Sequence, residues 1–362
     1  MGGGRGQRLL PRLVTKAIQL SNASCAPIAQ MNILVFGKDG QLGKAFKAVF
    51  DERKLEKLYR ISYVGRTECD LANPDAITAL LNKIKPDFII NAAAYTAVDQ
   101  AETEVDLAYA INAKAPEIMA HYAKGHGATF LHYSTDYVFD GSKASPYEAT
   151  DVRNPLGVYG KSKAAGEEVI EQAFQSKQQH ASQVSGAEFK AQYAILRTSW
   201  VYGEGGNFIR TILRLAKERQ TLKVIADQYG VPSSARWLAE VSLALVLDKN
   251  NQIRQFSSGI YHAVPSGETT WHALACHAVK AALDAGAALQ LSPDAIEAIP
   301  AMEYPLPAPR PMNSRMARGT LEAFLTDRLD GFANVPKLQL LQQSWEPQVA
   351  AYVQDLVRRK LI

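Results

Sequence analysis

Tyr159 and Lys163 stand four residues apart in the run Tyr159-Gly-Lys-Ser-Lys163. On a helix that spacing puts both side chains on one face, one turn apart. Such a pair can give a proton to an oxygen that gains negative charge, as a ketone oxygen does when hydride reaches its carbon. A free phenol has a pKa of about 10, too high for efficient transfer near neutrality. A nearby ammonium favours the phenolate and lowers that value. Lys163 is expected to do this and to hold a cofactor ribose. The same spacing also arises on ordinary exposed helix turns, so its meaning depends on what precedes it.

Two segments upstream supply that context. Thr129-Phe-Leu-His-Tyr133 reads as a buried strand followed by Ser134, Thr135 and Asp136. In a parallel sheet, ligands bind beyond the carboxyl ends of strands. Thr135 is the first choice for a hydroxyl that bonds both a substrate carbonyl and the tyrosine, with Ser134 as runner-up; the plain alternative is a turn stabilised by these side chains. Phe88-Ile-Ile90 ends at Asn91-Ala-Ala-Ala-Tyr-Thr96, whose small residues let a flat nicotinamide ribose approach the backbone.

Further upstream, Asn32-Ile-Leu-Val-Phe36 leads into Gly37-Lys-Asp-Gly40-Gln-Leu-Gly43. The first glycine permits a tight turn, the second lets the backbone approach a pyrophosphate, and the third lets the helix pack on the strand. The helix N-terminus then offers unpaired N–H groups to phosphates. An ordinary strand-to-helix turn is the alternative. The second strand ends at Val64-Gly65-Arg66, without the acid that would bond a ribose 2′-hydroxyl. Arg66 is placed to meet a 2′-phosphate, or else is a solvated surface residue. NADPH is therefore expected to serve at least as well as NADH.

The elements that must position these residues alternate. Strands are expected at 32–36, 58–64, 88–90, 129–133 and 193–197, and helices at 40–51, 74–84, 105–124 (stopped by Gly125) and 159–174. That order predicts an α/β fold: a Rossmann-type doubly wound parallel sheet with helices on both faces. After Trp200 the pattern loosens, with helices at 208–218, 235–247, 270–283 and 348–361, short strands at 223–225 and 259–263, and an extended proline-rich stretch at 301–311. The expected organisation is a disordered N-terminal extension at 1–30, an NAD(P)-binding domain at 31–200, and a smaller substrate-binding lobe at 201–362 that returns some segments to the first domain. The polar run 175–190 reads as a surface insertion.

Composition excludes other classes. The 362 residues are 47% hydrophobic and 21% charged, as in a folded globular chain. No apolar run approaches a membrane span of about 18 residues. Lys and Arg exceed Asp and Glu by 40 − 36 = 4, and Arg5, Arg8, Arg12 and Lys16 account for all of it. The neutral remainder excludes a nucleic-acid footprint. Cys25, Cys69 and Cys276 are too few and too scattered for a disulfide framework or a zinc site. A reducing cytoplasm fits best. The first thirty residues are basic and free of acid; Pro11, Arg12 and Lys16 break any secretory core. They read as an extension or arm, with a transit peptide as the alternative on composition.

Beyond these readings the sequence resembles the dTDP-4-dehydrorhamnose reductases of the extended short-chain dehydrogenase/reductase superfamily, from Met31 onward. The segments that carry the likeness are MNILVFGKDGQLG, PDFIINAAAYTAVDQAE, HYSTDYVFDG, NPLGVYGKSKAAGE, LRTSWVYGEGGNF, DQYGVP and RPMNSR. RTSWVYG, DQYGVP and RPMNSR are particular to that family. The resemblance implies reduction of the C4 ketone of dTDP-4-dehydro-L-rhamnose by NAD(P)H, the last step to dTDP-L-rhamnose. It makes Tyr159 the proton donor and Lys163 its partner. It places Thr135 and Asp136 on the sugar with Trp200 stacked beside it. Gly40, Gln41 and Leu42 would meet the pyrophosphate, Asp70 and Leu71 the adenine, and Ala94, Tyr95, Thr96 and Tyr133 the rest of the cofactor.

The likeness has departures. Some members form dimers bridged by Mg²⁺ through acidic residues; Arg236 stands where one such acid would be, with Asp355 a remnant near the C-terminus. No metal site is expected, a need for Mg²⁺ stays open, and the chain is expected to be a monomer or homodimer acting on a dTDP-sugar. Asp39 stands where Thr is more usual, and is expected to do no harm. Two other readings remain: another sugar-nucleotide enzyme, such as an epimerase or dehydratase, and a non-catalytic regulatory subunit of the same fold. Asp136 with Tyr137 lacks a dehydratase's acidic pair, and intact Thr135, Tyr159 and Lys163 argue against the second.

Overall fold

The computed structural model describes residues 1–2, 30–175, 190–326 and 340–362. The expectations for the N-terminal extension and for most of the insertion at 175–190 fall outside these residues. Met31–Ile362 forms one compact unit.

Strands β1 (Asn32–Phe36), β2 (Arg60–Val64), β3 (Phe88–Asn91), β4 (Thr129–Thr135), β5 (Gln192–Thr198) and β6 (Gly259–His262) form one sheet in the order β6-β5-β4-β3-β1-β2. Every pairing in it is parallel. This is the doubly wound arrangement expected, and its order reverses beside β1. The short apolar strands are buried on both faces, as parallel strands between helices must be. In β1, Ile33 and Val35 face one layer while Leu34 and Phe36 face the other.

On the first face α1 (Gln41–Arg53) contributes Phe46, Val49 and Phe50 to a core shared with Leu238, Val241 and Leu245. On the second, α2 (Pro74–Ile84), α3 (Ala115–His126) and α4 (Val158–Gln175) bury Ile77, Leu81, Met119, Ala123 and Ile170. Asn73 caps α2 by accepting from the N–H groups of Asp75 and Ala76. The helix expected at 105–124 is interrupted by a π turn at Ala110–Lys114 and runs on to His126. Its stop is Gly127, at φ 70°, rather than Gly125, because Gly127 takes the left-handed conformation that ends the helix.

A second core lies among α5 (Phe208–Glu218), α7 (Trp271–Asp284) and α8 (Trp345–Arg358), with Leu222–Ile225 paired in parallel with Ile296–Ile299. Asn207 caps α5 by accepting from Arg210 N–H at 3.1 Å. The later half also returns two elements to the sheet: β6 extends its edge, and α6 (Ala235–Val246) packs beside α1. The stretch 301–311 begins with a short helical turn at Ala301–Glu303 and is otherwise irregular.

Candidate active site

β1 delivers the chain to Gly37, whose φ of 84° turns it into α1. Gly37 N–H donates to the Val64 carbonyl at 2.9 Å and ties the turn to the end of β2. A Cβ on Gly37 would lie 2.8 Å from the Ala92–Ala93 backbone, and one on Gly43 would lie 2.1 Å from the Gly37 carbonyl oxygen. Glycine alone fits both positions, so helix and turn close on one another. No side chain caps the start of α1 and no acid occupies its first turn. Its free N–H groups and positive dipole end therefore remain for an anion.

These groups border a cleft of about 690 Å³ at the carboxyl ends of the strands. Its wall brings together Gly37, Gly40, Gln41, Leu42, Arg66, Asp70, Leu71, Ala94, Tyr95, Thr96, Tyr133, Tyr159 and Lys163. Gly43 sits one layer behind, against Gly37. Thr135, Asp136 and Trp200 lie outside the wall. Thr198 Oγ1 is buried without a hydrogen-bond partner, and Thr198 lines the same wall. Room, free helix N–H groups and an orphaned hydroxyl together fit a dinucleotide. Arg66 is exposed at the rim. Lys38 is held by Glu68, whose carboxyl is pulled down to about 2 by the Lys38 bond first and by the Gly65 N–H next. The Asp39 carboxylate lies over Gly65, where a Cβ would come within 2.1 Å of Oδ2.

Tyr159 lies in the first turn of α4 and is half-buried on the cleft wall. Its ring meets Tyr137 edge-on at 5.4 Å between centroids. Thr135, whose Oγ1 donates to Asp136 Oδ1 at 2.9 Å and accepts from Tyr137 N–H at 3.2 Å, is near enough to influence the Tyr159 hydroxyl. Burial pushes the phenol up to about 12, Thr135 lowers it, and the Asp136 charge raises it. Lys163 is not among the groups that shift this phenol, so the acidification expected from it is not seen here. The lysine is engaged elsewhere: Nζ donates to the Tyr133 carbonyl at 2.6 Å and lies 3.2 Å from His132 Nε2. Burial brings Lys163 down to about 8, with Glu167 opposing. Asp136 is pushed up to about 6 by burial, against the hydrogen bond from Thr135, and its Oδ2 is buried without a partner.

Trp200 adopts φ 48° and stacks on Trp271, with 3.6 Å between centroids and 15° between planes. Arg236 meets both Glu52 oxygens, at 2.7 and 2.6 Å, and Glu240 at 3.0 Å. Asp355 pairs with Arg358 on its own helix and with Arg359 just beyond its end. Among the described residues, no group of three or more His, Cys, Asp or Glu side chains is placed to hold a metal ion.

A family model described as the RmlD substrate binding domain matches residues 31–338. A dTDP-4-dehydrorhamnose reductase from Salmonella typhimurium is 42% identical over 288 residues, 79% of this chain and 89% of the relative. The chain belongs to the dTDP-4-dehydrorhamnose reductase family. A solved structure of such a reductase from Clostridium acetobutylicum superposes with a TM-score of 0.72 at 30% identity, covering 91% of this chain and all of that one (100%). Another, from Bacillus anthracis and in complex with NADP, gives 0.71 at 30% identity over 90% of this chain and 99% of that one.

In this member of the family several residues that the spacing arguments missed hold the site together. Asn112, in the π turn, accepts from Tyr95 N–H at 2.9 Å and donates to the Tyr95 carbonyl and to Ser162 Oγ, each at 3.0 Å. It joins the loop after β3 to the turn carrying Tyr159 and Lys163. Glu167 follows Lys163 by four residues and so shares the face of Tyr159 and Lys163. That repeat was readable; the buried partner of Glu167, Arg197 on β5, was not. His132 and Asn91 lie on strands, where alternation alone marks no role for them.

Proposed function

We propose that this chain reduces the C4 ketone of dTDP-4-dehydro-L-rhamnose to dTDP-L-rhamnose, with NADPH used at least as well as NADH. The observation that carries the reading is that the glycine turn, Tyr159 and Lys163 share one cleft in a chain of this family. When bound, the nicotinamide supplies the hydride. Gly40, Gln41 and Leu42 hold the pyrophosphate at the α1 N-terminus, and Arg66 meets the 2′-phosphate. Asp70 and Leu71 flank the adenine, while Ala94, Tyr95, Thr96 and Tyr133 border the remainder. Tyr159 gives its proton to the C4 oxygen. Thr135, beside that phenol, bonds the sugar and orients the phenol once substrate is bound, and Lys163 supports it and the ribose. Asp136 and the Trp200–Trp271 stack border the sugar. On this reading 31–200 is mainly the cofactor-binding part and 201–362 mainly the substrate-binding lobe, working in the cytoplasm as a monomer or homodimer without a metal bridge. Among the described residues, no helix is long and apolar enough to cross a membrane.

The test gives purified protein dTDP-4-dehydro-L-rhamnose with NADPH or NADH and follows the absorbance of the reduced cofactor. Consumption with formation of dTDP-L-rhamnose is the expected result. Unchanged absorbance in both would favour a regulatory subunit.

A further inference from the structure

A buried polar chain lies behind the reactive pair. Asn91 ends β3, His132 sits within β4, and Lys163 reaches them from α4; the three are 1%, 1% and 2% exposed. On one side of the imidazole, Nε2 lies 3.2 Å from Lys163 Nζ. On the other, Nδ1 lies 3.1 Å from Asn91 Nδ2. Asn91 Oδ1 accepts from Ala93 N–H at 3.2 Å.

These contacts decide which atoms donate. The Ala93 N–H can only donate, so it faces the amide oxygen of Asn91 and the amide nitrogen faces the ring. That nitrogen can only donate, so His132 Nδ1 accepts and the ring proton sits on Nε2. Lys163 therefore meets an N–H and not a lone pair. An ammonium sets a second N–H against it, whereas an amine offers a lone pair and completes the bond. We propose that Asn91 and His132 are positioning residues that fix this tautomer and thereby favour the uncharged form of Lys163.

The surroundings agree. Burial holds the His132 ring neutral, with the Lys163 charge adding to the effect. Other ionisable groups around Lys163 come from its own helix, from β5, from the loop before α4 and, in Tyr133, from β4. Tyr159 precedes it by one turn, and Glu167, which follows it by one turn, is paired with Arg197 and Arg153. With its pKa near 8, Lys163 exists in both forms around neutrality. The tautomer is fixed by these contacts whatever reaction the cleft supports.

The experiment uses the full chain labelled with ¹³C at the lysine ε-carbons, without cofactor or substrate, and titrates Lys163 by NMR, with K163M assigning its signal. N91L removes the donor to Nδ1 without touching Lys163, so the ring is free to turn a lone pair toward the ammonium. H132Q presents an oxygen in its place. Each is expected to raise the Lys163 midpoint by about one pH unit or more. N91L leaving the midpoint unmoved, or either variant lowering it, overturns the proposal; lost thermal stability with an unmoved midpoint would mean a purely structural role. If N91L fails to fold, H132Q decides alone, and an unmoved midpoint in it overturns the proposal.

Discussion

Glu167 grips Arg197 inside the protein through two hydrogen bonds, Nε to Oε1 at 2.9 Å and Nη2 to Oε2 at 2.7 Å, with neither side chain more than 1% exposed. The pair joins α4 to β5 immediately beyond Lys163. Burial alone would raise the Glu167 carboxyl, but the Arg197 bonds and charge leave it below the usual carboxylate range. Breaking one side of such a pair strands the other charge in the core, a loss of about 3–5 kcal/mol. Glu167→Gln should therefore lose that much in urea unfolding at neutral pH. The pH trend follows from the depressed carboxyl. Its stabilisation is complete above the usual carboxylate range and disappears as pH falls through the lower folded-state value. Wild type should thus lose its advantage over the variant in acid.

Tyr159→Phe keeps the ring and its edge contact with Tyr137 and removes only the hydroxyl. If that hydroxyl is the acid, turnover should fall by about 10²–10⁴-fold. The cofactor dissociation constant, read from protein fluorescence quenching, should stay close to that of wild type. A variant that turns over normally would remove Tyr159 from its role.

What the sequence makes legible is what local periodicity and spacing carry. β1, the glycine turn, α2 and the Tyr159–Lys163 turn all stand where the pattern put them, because each rests on neighbours within one or two turns of chain. The strand Gly259–His262 was visible, but not its place beside β5, since register with a strand far away in sequence leaves no local mark. The π turn at Ala110–Lys114 defeats a 3.6-residue reading because it adds a residue to the ladder where Asn112 reaches both Tyr95 and Ser162. Lys163 shows the same limit: its spacing from Tyr159 is local, while its bonds to His132 and the Tyr133 carbonyl are set by the fold.

Arg66 stands exposed at the end of β2, beside Gly65, at the rim of the cleft. Lys38 nearby is already engaged by Glu68, so Arg66 is the cation best placed for a 2′-phosphate. A lost charge-assisted contact of about 1.4 kcal/mol is a tenfold change in affinity. Arg66→Ala should weaken NADPH binding by about tenfold and change NADH binding little. Equal losses for the two cofactors in a fluorescence titration would place Arg66 away from the phosphate.

Asp136 is 2% exposed, and its carboxyl is raised to about 6 because burial outweighs the hydrogen bonds it accepts. The sign is opposite to that of Glu167. A carboxyl that is harder to ionise in the folded state favours folding fully below its unfolded value, near 4. That contribution is lost as pH rises through about 6. At about 1.4 kcal/mol per pKa unit, the shift corresponds to roughly 2–3 kcal/mol. Asp136→Asn has no proton to lose. Between pH 4 and 7, wild type should therefore decline by about that amount relative to the variant in urea unfolding. Parallel curves for the two proteins would show that Asp136 ionises as an ordinary carboxyl, and that its charge does not oppose ionisation of the Tyr159 phenol in the way the buried contact requires.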